Sequence, residues 1–154
     1  MKPQTSTVVA SMLFAAMTAA HADVVISTKP TQNMSCSGGV CTPTAQRAVL
    51  NVSDLASMLA GGDVKISSGS LARDIEIDAA LSWTSTHRLT LDAYHSIAFN
   101  KPVVVAGTGA LTITTNDGGQ EGDFRFFKHG HIDFWDLSSN LVINGNAYVL
   151  AHNI

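Results

Sequence analysis

From residue 64 onward, apolar side chains recur in pairs two residues apart: Val64/Ile66, Ile75/Ile77, Leu89/Leu91, Ile97/Phe99, Val103/Val105, Leu111/Ile113, Phe124/Phe126, Ile132/Phe134 and Leu141/Ile143, with Val149 last. A spacing of two places both members of a pair on one face of a β-strand, so each pair predicts a strand of three to five residues with one side turned inward. The intervals between pairs are as informative as the pairs. From Leu89 the first members advance by 8, 6 and 8 residues, returning after 22 at Leu111, and from Phe124 the steps are 8, 9 and 8. Hairpins favour two-residue Asn-Gly or Asp-Gly turns between longer strands. Three short strands per 22 residues instead predict an all-β fold, a parallel β-solenoid of about four coils.

Two stretches strain this rhythm. Thr114 to Asp123 is too long for a tight corner and reads as an insertion. Between Ile77 and Leu89 a strand is expected to run on through Leu81 and Trp83.

Before the pairs lies one helical pattern, Asn51-Val-Ser-Asp-Leu-Ala-Ser-Met-Leu-Ala-Gly-Gly. Ser53 suits an N-cap, Asp54 suits the positive end of the helix dipole, and Leu55, Met58 and Leu59 share one face. Gly61 and Gly62 end it. An amphipathic helix here is placed to cap the first coil. Residues 23–50, rich in Ser, Thr, Pro and Gly, read as an extended lead-in with one edge strand at Val24–Ser27, leaving 51–154 as the β-helix domain. Because the chain stops at Ala151-His-Asn-Ile directly after a strand, the expectation is the front end of a longer array or a truncated product.

Residues 1–22 carry Lys2, a 13-residue apolar run from Val8 to Ala20, and Ala20-His21-Ala22 before Asp23. That is the pattern of a cleavable secretory signal peptide, and the run is shorter than the roughly 20 apolar residues of a membrane anchor. The expected location is therefore secreted or cell-surface, with no transmembrane segment in the mature chain. Without residues 1–22 the chain has 8 Lys plus Arg against 12 Asp plus Glu, a formal charge of −4. With no cluster of basic residues, nucleic acid is not an expected partner.

Cys36 and Cys41 stand in Cys-Ser-Gly-Gly-Val-Cys. In an oxidising compartment the two glycines let so short a loop close as a disulfide, two free thiols being the alternative. No metal, cofactor or catalytic residue is expected.

The segments Asp63-Val-Lys-Ile-Ser-Ser-Gly, Asp74-Ile-Glu-Ile-Asp-Ala-Ala-Leu-Ser-Trp, Arg88-Leu-Thr-Leu-Asp-Ala, Gly109-Ala-Leu-Thr-Ile-Thr-Thr-Asn-Asp-Gly-Gly and Asn140-Leu-Val-Ile-Asn-Gly carry a likeness. Through them, Asn51 to Ile154 resembles the N-terminal region of large bacterial exoproteins of the filamentous haemagglutinin and autotransporter adhesin type. The resemblance implies a right-handed β-helix and a place outside the cell or on its surface, and a cell-surface or glycan partner is among the expectations. An Asn-Pro-Asn-Leu motif of two-partner secretion domains is absent, the prolines being Pro3, Pro30, Pro43 and Pro102.

Asp74, Glu76 and Asp78 alternate with Ile75 and Ile77, so three carboxylates are expected on the outer face of one strand, roughly 7 Å apart. Acid and base work on a polysaccharide is one use of such a row. A solvated face that discourages edge pairing is the plainer one. His129 and His131 lack an identifiable third metal ligand and read as a polar turn. The loop Asp117 to Asp123 has the composition of a calcium loop without its spacing. Trp83, Trp135, Tyr94 and Phe124–Phe127 read as core. The leading expectation is a non-catalytic surface or adhesin-type protein, and the rival is an extracellular polysaccharide-processing enzyme.

Overall fold

The structure is a computed structural model and describes residues 22–152. All but the last residue of the expected signal peptide lies outside the described residues. Fifteen strands and two helices are present among those residues. In chain order the strands are β1 Asp23–Ser27, β2 Met34–Ser37, β3 Val40–Pro43, β4 Arg47–Asn51, β5 Val64–Ser67, β6 Asp74–Ile77, β7 Leu81–Trp83 and β8 Arg88–Asp92. They continue with β9 Ile97–Phe99, β10 Val103–Val105, β11 Ala110–Thr114, β12 Phe124–Phe126, β13 Ile132–Phe134, β14 Asn140–Ile143 and β15 Asn146–Tyr148. Helix α1 is Val52–Gly61, and the single turn α2 is Gly69–Ala72.

The strands form three sheets. A five-stranded sheet has the order β12-β9-β6-β1-β4, a three-stranded sheet β13-β10-β7, and a seven-stranded sheet β15-β14-β11-β8-β5-β3-β2. Most neighbours are parallel; Leu89, for example, faces Leu111, which faces Leu141. Parallel neighbours cannot be joined by a tight turn. Between β6 and its partner β9, for instance, the chain passes through β7 and β8 in the other two sheets.

This arrangement corrects the expected all-β right-handed parallel β-helix. The architecture is mixed α/β, about 45% strand with two helices, and its sheets are separate rather than a β-helix. Two antiparallel pairs make the seven-stranded sheet mixed: β2 with β3 and β14 with β15. Both follow from local turn chemistry. Gly38 and Gly39 sit at φ of +59° and +81°, and Asn144 and Gly145 at +47° and +82°, the left-handed conformations of a tight hairpin turn. Gly39 has a further reason to lack a side chain, because a Cβ there would stand 2.6 Å from the carbonyl oxygen of Asp63.

The segment 23–50 supplies β1 to β3 and most of β4, and β1, expected at an edge, lies inside the five-stranded sheet between β4 and β6. Val24 and Ile26 are fully buried, so the alternation in Asp-Val-Val-Ile-Ser has the same cause as that of the later strands.

One apolar core joins all three sheets. Ile26, Ile75, Ile77, Ile97 and Phe99 reach it from the five-stranded sheet, Leu81, Val103 and Val105 from the three-stranded sheet, and Ile66, Leu89, Leu91, Leu111 and Ile113 from the seven-stranded sheet. Each such side chain contributes roughly 1.5–3 kcal/mol through burial.

Asn51, rather than Ser53, is the N-cap of α1: its side-chain oxygen accepts from the backbone N–H groups of Ser53 at 2.9 Å and Asp54 at 3.1 Å. The helix buries Leu55 and Leu59 and packs against β7, the terminal strand of the three-stranded sheet. At its other end the Leu59 carbonyl accepts from the Ser85 hydroxyl at 2.6 Å and lies 2.8 Å from His87 Nδ1.

Candidate functional site

The outward face of the five-stranded sheet carries Asp74 and Glu76, two of the three carboxylates expected in a row on one strand. Strand alternation sends Ile75 and Ile77 into the core and Asp74 and Glu76 outward. Register then sets the neighbours. Asp74 stands beside Asp23, which stands beside Arg47, while Glu76 lies between Val25 and Ala98. Neighbouring strands are about 4.8 Å apart, so these side chains form rows across the sheet.

Two clefts on this face share Asp23 and Glu76. One, of about 610 Å³, is walled by Lys29, Gln32 and Asn33 from the segment after β1. The other, of about 590 Å³, is walled by Gln120 and Glu121 from the loop after β11 and by Arg125 and Phe127. Together they make a groove running across the strands, with polar walls and half-exposed Phe127 at one end.

Asp74 is held at one oxygen by two neighbours. Its Oδ1 accepts from the backbone N–H of Ser96 at 2.8 Å and lies 2.8 Å from His95 Nδ1. His95 is fixed in turn by its own backbone N–H, which donates to the Arg73 carbonyl at 2.9 Å. The sequence reading missed His95. The signal was present: once Ile75 is aligned with Ile97, Asp74 falls beside Ser96 and next to His95.

Asp78 separates from the other two carboxylates. It lies past the end of β6, is exposed, and lines neither cleft. The expected row of three is a pair in the groove and one outside it.

Cys36 and Cys41 are joined by a disulfide across the β2–β3 hairpin, where they are register partners. Cys41 is fully buried, with its sulfur 4.0 Å from Met58 Sδ, so the bridge ties the hairpin to α1.

The loop after β11 does not gather its carboxylates. Asp123 accepts from the N–H of Phe124, Glu121 lines the groove, and Asp117 lies beside Asp92 on the seven-stranded sheet. Among the described residues no three His, Cys, Asp or Glu side chains converge as metal ligands. Contact with the Asp92 carboxylate, first through a hydrogen bond and then through burial and repulsion, holds the Asp117 carboxyl up at about 6, while Lys65 acts in the opposite sense. Lys65 Nζ is 3.1 Å from Asp92 Oδ2.

His129 and His131 occupy an exposed turn closed by the Gly130 N–H to the Phe127 carbonyl at 2.7 Å, and His131 Nε2 lies 3.2 Å from Asp133. The aromatic residues divide. Trp83 is buried and donates to the His87 carbonyl at 3.1 Å, whereas Trp135 is 70% exposed and Phe126 and Phe127 are about half exposed. No helix among the described residues is long and apolar enough to cross a membrane.

Comparison with protein-family models, with curated proteins and with solved structures finds no match. The chemistry of the groove follows from its own residues. It offers carboxylate acceptors, a carboxylate-bound imidazole, cationic donors at either end and an aromatic ring, which suits a hydroxyl-rich ligand lying along a surface.

Proposed function

We propose that this chain is an exported, surface-associated binding protein of adhesin type, which holds a glycan in the groove across the five-stranded sheet without cleaving it. The observation that carries the reading is Asp74 Oδ1, held by Ser96 N–H and His95 beside Glu76 on an open face. Sugar hydroxyls donate well to carboxylates whose orientation is set before binding, because little side-chain freedom is then lost. Phe127 offers an apolar surface at the groove end for the face of a sugar ring. The Cys36–Cys41 bridge accords with an oxidising compartment.

A second reading, a polysaccharide-processing enzyme, is favoured by one feature. Asp74 and Glu76 are two residues apart on one strand, roughly 7 Å along it, within the range for paired carboxyl groups in sugar chemistry. Titration calorimetry against neutral, amino and acidic polysaccharides tests the first reading, and assay of new reducing or unsaturated ends tests the second. Binding without new chain ends supports the binding protein, new chain ends favour the enzyme, and no binding across the panel removes both.

A further inference from the structure

Among the described residues, one end of the five- and three-stranded sheets is uncovered while the other is covered. Beyond β4, the outer strand of the five-stranded sheet, Gln32 forms a two-way backbone bridge with Val49 at 2.9 and 2.8 Å, and α1 packs against β7. At the opposite side β12 and β13 are the terminal strands of their sheets. Between them opens an apolar groove of about 460 Å³ lined by Phe124, Phe126, Ile132, Phe134, Leu141 and Ile143, with His131 and Leu150 at its margin. Phe126 is 48% exposed although its ring stacks on Phe99 at 5.1 Å. Unpaired strands above exposed apolar side chains are a template for another strand.

The two edge strands are complementary to one another. Phe124-Arg125-Phe126 and Ile132-Asp133-Phe134 are both apolar–charged–apolar, with opposite charges at the centre. Laid antiparallel, they set Arg125 opposite Asp133, Phe124 opposite Phe134 and Phe126 opposite Ile132. Within one chain β12 and β13 belong to different sheets and do not pair. We propose that this end is a two-fold interface between two copies of the chain, in which β12 of each pairs with β13 of the other. A two-fold axis makes the contact twice, so each Arg125 meets the partner's Asp133 and both apolar grooves close. Pairing β12 with β12 would instead oppose two arginines, which like-charge repulsion disfavours. His131, 3.2 Å from Asp133 on its own chain, shares that carboxylate without removing it from the surface.

Sedimentation of the full chain over a range of micromolar concentrations, with Arg125→Asp, Asp133→Arg and the double exchange, tests the interface. Both side chains are exposed, so neither substitution enters the core. Arg125 also lines the glycan groove, and oligomeric state rather than glycan binding is therefore the readout. The expected result is a dimer whose Kd rises at least about tenfold in either single variant and returns toward the original value in the double variant. The double variant is also the folding control. A monomer at every concentration, a dimer indifferent to the single substitutions, or single losses that the exchange does not restore would each overturn the proposal.

Discussion

Asp74 Oδ1 and His95 Nδ1 lie 2.8 Å apart on adjacent strands' approaches, although 21 residues separate them in the chain. The contact arises because β6 and β9 pair in register at Ile75 and Ile97, and because Ser96 N–H binds the same carboxylate oxygen. It fixes the Asp74 carboxylate and the His95 ring against one another at the groove, so loss of His95 is expected to free Asp74 to rotate.

His95→Ala is expected to weaken glycan binding about tenfold, equivalent to about 1.4 kcal/mol, by freeing Asp74 to rotate. Asp78→Asn, outside the groove, is expected to leave affinity within about twofold. Calorimetry on the two variants against the best wild-type ligand checks the contrast.

Asp117 sets a pH dependence. Its folded pKa of about 6 is above its ordinary 3.8, so the folded state binds this proton more tightly than the unfolded chain does. Stability from this group is present below about pH 4 and is lost as pH rises to about 6. Asp117→Asn removes the group, so the melting temperature of the variant minus that of wild type should increase across that interval. Asp117 is exposed, and solvent screening keeps the effect below about 1 kcal/mol.

Asn51→Ala is expected to destabilise the fold by about 1–2 kcal/mol, since it removes the cap of α1. The same side chain also donates to the carbonyls of Thr28 at 3.2 Å and Lys29 at 3.1 Å, so the segment after β1 should exchange amide hydrogens faster as well. Hydrogen exchange resolved by segment checks both effects.

Replacing Cys36 and Cys41 together by Ser should cost about 2 kcal/mol, the chain-entropy expectation for so short a loop. Denaturant unfolding of oxidised wild type against the variant measures it. The loss should exceed that value somewhat, because Cys41 is buried against Met58.

Strand positions after residue 64 were legible because alternating apolar pairs are a local signal, and each of the nine complete pairs lies on a strand. Within residues 23–50 the strand at Val24–Ser27 was legible from its alternation, but β2 and β3 were not, because they carry Ser, Thr and Cys with no repeating apolar pair. The division into separate sheets, with β1 inserted between β4 and β6, depends on pairing between distant segments, which composition does not encode. For the same reason Asp74 and Glu76 were visible as a pair while His95 was not. Alternation alone does not mark where β6 ends, so it does not show that Asp78 falls just past the strand.

The proposed binding surface is the outer face of the five-stranded sheet. Hydrogen exchange with and without a bound soluble polysaccharide tests it most directly. Protection concentrated in 23–27, 74–77 and 95–98, diminished in His95→Ala, is the predicted result. Protection confined to other surfaces, or none at a saturating ligand concentration, would contradict it.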